Sequence, residues 1–463
     1  MKPLGVRTFT FSDQEAFARV SGDWNPIHMD AVASRRMILG KPMVHGIHGL
    51  LWALDQLARE LDLKGQALAR LEARFIHGIS LGDPVQCVLE KNGANGFSLT
   101  LKRDNANVAA IRGAMRAAPS FNSKFPGVPT LRASAALDFD QASTASGALQ
   151  LSFDETPTRL LFPHCCSAFP AVQIAALLTT TRLVGMICPG LYSIYSGLNL
   201  EFTGVESPEL TYSVSRADTR YSSIQLAVDG AGVKGRLDTF LRPAPQSQPS
   251  YNEVRAKIAP DEFSGWRALV IGGSRGLGEV AAKIISAGGG QVCVTYHSGS
   301  IEAANLRSDI SGLSAVQYDV TGNELPGLPW PPTHLLYFAT PHISSDKTHF
   351  FSPQKFAHYC RYYIDGFHHT LSALQTRGAM PEAILYPSTI FLNETTPNIA
   401  EYCAAKAAAE EMLRHLAQRF PSLRLRAPRL PRMATDQTAG FLAPFSEPPL
   451  PVMLNELRKL KSC

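Results

Sequence analysis

The sequence has no apolar run long enough to cross a membrane. Its longest candidate, 171–189, is interrupted by the polar segment 179–182, whereas a membrane-spanning helix needs about 20 apolar residues. The N-terminal residues also lack the apolar core that a secretory signal carries behind its basic residue. We therefore expect a cytosolic chain with no membrane partner.

Cysteine patterns and basic runs are also missing. The eight cysteines are scattered, and only Cys165 and Cys166 lie close together. Because there is no C-x-x-C spacing and no Cys/His ligand pattern, we expect free thiols and no metal. The formal net charge is +5 without a run of Lys or Arg, so no nucleic-acid partner is expected. This mild positive charge is still compatible with an acidic carrier protein or a phosphate-bearing coenzyme.

The chain is too long for one ordinary core. It has 463 residues, and domains average about 150 residues. Two stretches rich in Pro and Ser, 118–135 and 242–260, divide it into three blocks. We place a first domain at 1–130, a second at 131–245, a linker at 246–260 and a third domain at 261–463.

The first two blocks repeat one pattern of elements. A helical run is followed by four strand-like runs, and this pattern predicts an α+β double hot-dog fold, in which each helix is wrapped by an antiparallel sheet. Two generic α+β domains would show the same periodicity and are the alternative. The helical runs are 47–61 and 171–186, and the strand-like runs are 71–79, 84–91, 97–103 and 106–112, then 192–202, 209–216, 222–228 and 232–240.

The third block alternates strands and helices. This alternation predicts an α/β Rossmann-type doubly wound parallel sheet. The strand-like runs are 268–271, 292–295, 315–318, 334–339, 383–386 and 423–426, and helical runs begin at 277, 353 and 400.

A candidate acid/base motif lies near the start of the chain. Residues 21–30 read SGDWNPIHMD, and residues 42–46 read PMVHG. Hydrating an enoyl thioester, or dehydrating its 3-hydroxy form, needs proton transfer at two neighbouring carbons, which two acid/base groups can perform. The strings resemble the MaoC-like, (R)-specific enoyl-thioester hydratase/dehydratase family. The resemblance implies that Asp23 and His28 are the catalytic pair and that Asn25 and Pro26 shape the turn that aims them.

Gly46 opens the helix that follows this motif. A backbone N–H at a helix start can stabilise the thioester oxygen as it gains negative charge, so Gly46 is the candidate donor. Leu54 stands where family members often carry Ser, which predicts a different activity or chain-length preference. The alternative interpretation is structural: D-x-N-P is a common turn initiator, and His45 and His48 would be hydrogen-bonded polar residues beside a core helix.

The second block has no comparable motif. His164, Cys165 and Cys166 precede its helix, but no base accompanies them at catalytic spacing. We interpret this block as a non-catalytic half that forms a wall of the acyl tunnel.

The third block carries two motifs in a consistent order. Residues 271–278 read IGGSRGLG between a strand and a helix, the context of a dinucleotide-binding loop. Ser388 and Thr389 then end a strand, and Tyr402 and Lys406 begin a helix in the pattern Y-x-x-x-K. Together these strings resemble the short-chain dehydrogenase/reductase family. The resemblance implies that Tyr402 protonates a carbonyl, that Lys406 lowers the pKa of Tyr402 and holds the nicotinamide ribose, and that Ser388, or alternatively Thr389, orients the carbonyl.

The charge pattern favours NADPH as cofactor. Segment 296–298 has no acid that would bind a ribose 2′-hydroxyl, and Arg275 could meet a 2′-phosphate. Asp319 matches the family residue near the adenine. The candidate cofactor-binding residues are Gly272, Ser274, Arg275, Gly276, Leu277, Gly278, Tyr296, His297, Asp319, Val320, Ala339 and Lys406.

Some positions depart from the family pattern. Residues 338–341 read FATP in place of NNAG, and Tyr363 stands at the place of the helical Asn, which implies loss of a proton-relay water. Arg429 follows Pro428 where Gly is common, so Arg429 or Arg432 would contact a phosphate. A degenerate nucleotide-binding scaffold is therefore the alternative to a working reductase.

Together the motifs predict a bifunctional enzyme. It would reduce a 3-oxoacyl thioester with NADPH to the (R)-3-hydroxyacyl thioester and dehydrate that product to the trans-2-enoyl thioester, in fatty-acid-like or polyketide-like biosynthesis. The substrate would be carried by coenzyme A or an acyl carrier protein, and a homodimer is possible. The alternatives are hydration and oxidation of β-oxidation type, or a dehydratase whose reductase-like block serves docking or dimerisation.

Overall fold

The computed structural model describes the whole chain except residues 36–39, 94–95, 105, 120–124, 129–132, 206, 323, 344–349, 395, 439–444 and 463. The described residues divide into two compact units that meet in sequence between Ala244 and Pro245. The first two sequence blocks therefore fold as one unit. In the described residues, no helix combines the length and the apolar character that a membrane crossing requires.

The first unit contains eight helices and ten strands within the described residues. The helices are α1 (Phe11–Ser21), α2 (Pro26–Met29), α3 (Ala31–Arg35), α4 (Gly46–Glu60), α5 (Phe139–Ser143), α6 (Glu155–Leu161), α7 (Pro163–Ala168) and α8 (Ala171–Arg182). The strands are β1 (Lys2–Thr8), β2 (Gln66–Phe75), β3 (Pro84–Gly93), β4 (Gly96–Arg103), β5 (Ala106–Ala117), β6 (Ser146–Gln150), β7 (Ser193–Phe202), β8 (Glu209–Asp218), β9 (Ser223–Gly230) and β10 (Val233–Leu241).

These strands form one continuous sheet across the described part of the unit. Their order is β1-β3-β4-β5-β2-β7-β10-β9-β8-β6, so the strands before α5 make one half of the sheet and those after it the other. The halves join through the antiparallel pair of β2 and β7, where Ala73 faces Leu198. The first two sequence blocks are therefore two parts of one sheet.

Helices α4 and α8 carry the core of the unit. Residues 47–57 of α4 and 172–182 of α8 are buried without interruption, and a helix that is buried all round lies inside a core. Both helices belong to the same hydrophobic cluster, which also contains Leu54. Helix α8 continues into a π-helical turn at Leu183–Ile187, so the sequence-predicted helix at 171–186 spans two helical types.

The second unit contains the remaining elements of the described chain. Its helices are α9 (Tyr251–Arg255), α10 (Gly276–Ala287), α11 (Ser300–Asp309), α12 (Pro353–Cys360), α13 (Gly366–Thr376), α14 (Ala400–Arg419) and α15 (Pro449–Ser462). Its strands are β11 (Arg267–Ile271), β12 (Gln291–Tyr296), β13 (Ser314–Gln317), β14 (His334–Tyr337), β15 (Ala383–Leu385), β16 (Ser388–Thr389), β17 (Arg424–Arg426) and β18 (Arg429–Leu430).

The main sheet of this unit is parallel and doubly wound. The described strands run in the order β13-β12-β11-β14-β15-β17, and each neighbouring pair is parallel. Counted along the chain this is the order 3-2-1-4-5-6, that of a Rossmann-type sheet. Alternate residues of β11 enter two separate cores, with Val270 in one and Leu269 in the other. The predicted Rossmann-type class is confirmed.

The stretch predicted as a linker, 246–260, is part of the second unit. It contains α9, whose first turn is capped by the Ser250 and Glu253 side chains. Val254 is fully buried in the core that also contains α10. This segment is therefore packed against the unit that follows it, because Val254 and Ile258 are both buried in that core.

We expect the seam between β2 and β7 to tolerate no side chain at Gly197. A Cβ there would lie 2.7 Å from the carbonyl oxygen of Ala73, so the strand backbones would have to separate. Gly197→Ala should lower the free energy of unfolding by about 1–3 kcal/mol, measured by thermal or urea unfolding. Gly93→Ala is the control, since a Cβ there meets nothing within 4 Å. Equal stability of the two variants would contradict this account.

Candidate active sites

The loop between α1 and α2 presents Asp23. Helix α1 ends at Ser21 and is capped by Gly22, whose φ of 74° is the left-handed conformation that favours glycine. Asn25 then caps α2 by accepting a hydrogen bond from the Ile27 N–H at 3.1 Å, and Pro26 is the first residue of that helix. Asp23 therefore lies on a short loop fixed at both ends, with His28 one turn beyond it.

Asn25 ties this loop to the second half of the sheet. Its Nδ2 donates to the carbonyl oxygens of Gly185 at 2.8 Å and Gly190 at 3.1 Å. Asn25 is fully buried, and both of its amide atoms are used in these structural contacts. The structure thus places Asn25, which the sequence put among the candidate catalytic residues, in contacts that position the loop.

The carboxyl group of Asp23 is buried and held by two donors. Its Oδ2 accepts from the Thr181 hydroxyl at 2.7 Å, and its Oδ1 accepts from the Asn25 N–H at 3.2 Å. Burial raises the pKa of Asp23 to about 6, although these two hydrogen bonds act in the opposite direction. Asp23 can therefore hold a proton up to about pH 6, well above the usual range of an aspartate, and can give it up within the range in which an acid/base group works.

His28 presents one free ring nitrogen. Its Nδ1 lies 2.8 Å from the carbonyl oxygen of Met43, and because a carbonyl only accepts, we assign the proton to Nδ1 and the lone pair to Nε2. Burial lowers the pKa of His28 to about 4; the Met43 hydrogen bond raises it and the positive charge of Arg242 lowers it further. The neutral ring is thus poised to accept a proton.

His45 completes a cluster with Asp23 and His28. One oxygen of Asp23 and one ring nitrogen of each histidine all lie within 4.8 Å of one another. The rings of His28 and His45 stack with centroids 3.8 Å apart, and His45 Nε2 lies 3.1 Å from the backbone oxygen of Asp23. His45 was not among the predicted catalytic residues, although the PMVHG string contained the signal.

Gln14 sets the tautomers behind this cluster. Its Nε2 lies 2.9 Å from the oxygen of Met43 and 3.0 Å from Nδ1 of His45, and its Oε1 lies 2.8 Å from Nδ1 of His48. Since the amide nitrogen only donates, His45 carries its proton on Nε2. His45 and His48 are both fully buried, so His48 takes the hydrogen-bonded core role that the alternative interpretation gave to both.

Gly46 is the first residue of α4, directly after His45. A Cβ at Gly46 would lie 2.9 Å from the ring of Phe75, so only glycine fits without a shift of that ring. The first N–H groups of a helix have no partner within the helix, which is the property that the sequence analysis required of this donor. Leu54, farther along α4, is fully buried in the core.

The residues singled out in the second half serve structural contacts. His164 and Cys165 begin α7, where their backbone N–H groups donate to Asp55 Oδ1 at 2.8 and 2.9 Å. Burial raises the pKa of the Cys165 thiol well above its usual value and that of Cys166 to about 11. Thiols held protonated are poor nucleophiles.

The glycine-rich loop of the second unit fits a dinucleotide. Gly272, at φ 70°, lies so close to the segment that follows β14 that a Cβ would meet the Ala339 nitrogen at 3.1 Å. A Cβ on Gly278 would lie 2.4 Å from the Gly272 oxygen, whereas one on Gly276, at φ 59°, would meet nothing within 4 Å. In a dinucleotide-binding loop, glycines allow a tight turn, leave room for the pyrophosphate to approach the backbone, and let the helix pack closely on the strand.

The other predicted cofactor residues include basic, acidic and uncharged side chains. His297 Nε2 lies 3.6 Å from Asp319 Oδ2, and both side chains are exposed. The backbone N–H and the hydroxyl of Thr321 both donate to Asp319. Partial burial acts to raise the pKa of Asp319, but these hydrogen bonds contribute to a net lowering. A further acid, Glu302, lies near the end of β12: one of its carboxylate oxygens is 3.3 Å from the point that a Cβ on Gly299 would occupy. Leu277 lies in the first turn of α10. The remaining predicted cofactor residues lie at the end of a strand or in the segment that follows one: Ser274, Arg275, Tyr296, Val320 and Ala339.

Thr389, and not Ser388, is the hydroxyl residue associated with Tyr402. The Ser388 hydroxyl donates to Glu410, which also receives Arg429 Nη2 at 2.6 Å. Burial raises the pKa of Tyr402 to about 12, and a hydrogen bond with the Thr389 side chain opposes that rise. The structure therefore favours Thr389, the alternative to Ser388, as the residue that would orient the substrate carbonyl.

Lys406 does not lower the pKa of Tyr402 as the sequence analysis expected. Its Nζ donates to the Pro387 oxygen at 2.8 Å and lies 4.1 Å from the ring centroid of Tyr363 and 4.9 Å from that of Tyr386. Burial lowers the pKa of Lys406 to about 7, and the charge of Glu410 acts in the opposite direction. Lys406 shares a helix face with Tyr402, but its amine is enclosed by the rings of Tyr363 and Tyr386 and does not act on the Tyr402 hydroxyl.

Comparison with known proteins identifies the first part of the chain. Residues 4–111 match the MaoC like domain. This region is a MaoC-like domain. The match supports the hot-dog fold for the half that contains α4, with α4 packed against its sheet. No curated protein matches the chain.

Three solved structures are similar to part of this chain at low sequence identity. A dehydrogenase/reductase from Sinorhizobium meliloti 1021 is 20% identical, with a TM-score of 0.37, over 43% of this chain and 90% of its own. FolM alternative dihydrofolate reductase 1 from Brucella suis, solved with NADP, is 18% identical, with a TM-score of 0.35, over 43% of this chain and 89% of its own. A blue fluorescent protein from a metagenomic library, solved with NADPH, is 20% identical, with a TM-score of 0.31, over 36% and 73%.

Asp23→Asn should stabilise the fold above neutral pH. Because the pKa of Asp23 is raised from 3.8 to about 6 in the folded state, its ionisation opposes folding fully above pH 6, and this penalty disappears as the pH falls towards 4. The penalty amounts to about 3 kcal/mol at most. The variant should therefore melt at a higher temperature than the wild type at pH 8, with the difference shrinking at pH 4. A difference in melting temperature that does not change with pH would contradict the burial argument.

Thr389→Val and Ser388→Ala should separate the two neighbouring hydroxyls. We expect Thr389→Val to lower the rate of NADPH-dependent reduction of a 3-oxoacyl thioester by about 100-fold or more, in the range of a lost acid/base partner. Ser388→Ala should lose much less, since its hydroxyl is engaged with Glu410. Steady-state kinetics measure the rate of reduction by both variants. A larger loss in Ser388→Ala than in Thr389→Val would assign the carbonyl-orienting role to Ser388.

Proposed function

We propose that this chain is a bifunctional enzyme that acts on acyl thioesters functionalised at the third carbon. The first unit would dehydrate a (R)-3-hydroxyacyl thioester to the trans-2-enoyl thioester, and the second would reduce the 3-oxoacyl thioester that precedes it. The observation that carries this proposal is the cluster in which an Asp23 oxygen and a His28 ring nitrogen lie within 4.8 Å, inside a MaoC-like domain.

The dehydration step assigns one proton transfer to each member of the pair. Nε2 of His28 takes the proton from the second carbon, and the electron pair of that bond forms the double bond. Asp23, whose burial raises its pKa to about 6, gives its proton to the 3-hydroxyl group, which leaves as water. The N–H of Gly46 would stabilise the thioester oxygen meanwhile. Passage of the proton from His28 to Asp23 restores the starting state, and hydration is the reverse.

This assignment gives a pH dependence. The reactive form has neutral His28 and protonated Asp23, so kcat/KM should fall below pH 4 and above pH 6, near the pKa values of about 4 and 6. Because Asp23 and His28 lie this close together, they titrate as a pair. The pKa values read from the two limbs of the pH profile are therefore apparent values of the pair.

The arrangement of the first unit supports a double hot-dog with one active half. Each half of the sheet has a buried helix, α4 or α8, and only the first half carries the acid/base string. The second half contributes the contacts of Gly185, Gly190 and Thr181 to the catalytic loop. We propose that it also forms a wall of the acyl tunnel, with coenzyme A or an acyl carrier protein holding the thioester.

The second unit would bind a nicotinamide dinucleotide at its glycine-rich loop. When bound, such a cofactor supplies hydride to the carbonyl carbon of the substrate. Tyr402 would give its phenolic proton to the carbonyl oxygen, and its raised pKa of about 12 means that this proton is present at neutral pH. Thr389 would orient the same oxygen.

The proposed preference for NADPH rests on the absence of an acid at 296–298 and on Arg275. Glu302 lies close to Gly299 and would disfavour a 2′-phosphate if it faced it, since two anions repel. Titrations of the chain with NADPH and NADH, followed by protein fluorescence, compare the affinities for the two cofactors. They show whether the positive charge of Arg275 or the negative charge of Glu302 has the larger effect. Tighter binding of NADH would reverse the preference and favour the oxidative direction.

A specific observation favours a second candidate function for this unit. Lys406 is enclosed by Tyr363 and Tyr386, and Tyr363 also lies 2.7 Å from Thr340 through its hydroxyl. An enclosed amine is poorly placed to hold a ribose. A dehydratase with a non-catalytic, reductase-like scaffold is therefore the alternative, and it predicts no NADPH oxidation with any 3-oxoacyl thioester.

His28→Ala and Tyr402→Phe should separate the two activities. With NADPH and 3-oxoacyl thioesters on coenzyme A or carrier protein, His28→Ala should still consume NADPH but accumulate the 3-hydroxyacyl product. Tyr402→Phe should lose reduction by about 100-fold or more and still interconvert 3-hydroxyacyl and enoyl thioesters. Mass spectrometry of the products measures both steps. Loss of both steps in one well-folded variant would refute the two-site proposal.

A further inference from the structure

Three consecutive threonines of α8 differ in what their hydroxyls bind. Thr179 donates to the Ala175 oxygen at 2.8 Å and Thr180 to the Leu177 oxygen at 2.7 Å, both within their own helix. Thr181 donates outside the helix, to Oδ2 of Asp23 at 2.7 Å, and Thr180 also has a side-chain hydrogen bond with Tyr195 of β7. All three are buried. The helix of the half that lacks the acid/base string thus sends one hydroxyl into the site of the other half.

The turn that follows α8 presses against the same carboxylate. Gly185 lies in the π-helical turn, and a Cβ on it would be 2.2 Å from Oδ1 of Asp23. In the same turn the Gly185 carbonyl accepts from Asn25, and the Met186 sulfur lies 3.2 Å from the Trp24 nitrogen. The backbone of this turn therefore fits the catalytic loop closely, and π-helical turns of this kind often occur at functional sites.

We infer that Thr181 is a positioning residue for the dehydratase site, and that it holds the Asp23 carboxyl group at one fixed rotation through its hydrogen bond to Oδ2. A buried carboxyl group with one donor on each oxygen cannot turn without breaking a hydrogen bond. The second half would then be part of the catalytic apparatus and not only a wall. This inference rests on the proposed role of Asp23.

The same hydrogen bond affects the proton affinity of Asp23. Burial raises the pKa of Asp23, and the Thr181 hydrogen bond is the largest influence in the opposite direction, followed by that of the Asn25 N–H. The other titratable groups facing this carboxyl are His28 and His45, and His45 Nε2 lies 3.9 Å from Oδ2. Two buried arginines lie close to the same loop: Arg182 packs against Gly22, and Arg242 shares the Leu191 carbonyl with Asn25. Removing the hydroxyl should leave these charges in place and raise the pKa of Asp23.

The test compares Thr181→Val with Thr179→Val in the full chain. Both changes replace a buried hydroxyl with a methyl group in the same helix, but only the first removes a donor to Asp23. For hydration of an enoyl thioester, we expect Thr181→Val to lower kcat by about tenfold with little change in KM. Its alkaline limb should move upward from pH 6 by about one unit. Thr179→Val should keep both the rate and the limb of the wild type.

Thr181→Ser keeps the donor and should restore the wild-type limb, which a purely structural role would not require. If Thr181→Val does not fold, Thr181→Ala and Thr179→Ala give the same comparison without the added methyl group. A wild-type pH profile in the Thr181 variant would overturn the inference, as would equal shifts in the Thr179 and Thr181 variants.

Asp23→Asn separates this inference from the proposed function on which it rests. If Asp23→Asn is inactive while Thr181→Val behaves as wild type, only the positioning role fails. If Asp23→Asn remains active, the proposed role of Asp23 fails and the inference fails with it.

Discussion

The buried carboxyl group of Asp23 is the constraint on which the first unit depends. Removing a carboxylate from water is unfavourable unless donors replace the lost hydration, and the donors here come from the Asn25 backbone and from Thr181, far along the chain. The loop can be buried only if the second half of the sheet lies against it. This explains why a half without an acid/base string of its own shares one continuous sheet with the MaoC-like domain.

Local patterns predicted most of the fold because the two units are built from regular amphipathic or buried segments. The helix predicted at 47–61 is α4, and the parallel sheet follows from short apolar strands between helices. Helix α1 was not predicted, although Thr10 and Asp13 form a capping box that is visible in the local sequence. The shared sheet was not predicted either, since the pairing of β2 with β7 joins residues far apart in the sequence and leaves no local periodicity.

The candidate sites were predictable where their residues lie in one string and not where they meet through space. Asp23 and His28 share a loop and a helix turn, so their spacing carried the information. Thr181 belongs to a polar segment that interrupts an apolar helix, and nothing in that segment distinguishes it from Thr179. Ser388 and Thr389 pose the same problem, because neighbouring residues of a strand point to opposite sides. Only the positions of Glu410 and Tyr402 show which hydroxyl is engaged elsewhere.

The two candidate sites solve one electrostatic problem in the same way. Each uses an oxygen acid whose pKa lies above its ordinary value, and in each the main influence is burial, which raises the pKa of Asp23 to about 6 and that of Tyr402 to about 12. In each a threonine hydroxyl, Thr181 or Thr389, acts in the opposite direction. A threonine suits this task because its hydroxyl can donate to the ionised acid while its methyl group packs in a dry site. Lys406, the group expected to supply a charge instead, is enclosed by Tyr363 and Tyr386, so proton affinity in both units depends on burial and a neutral donor and not on a neighbouring cation.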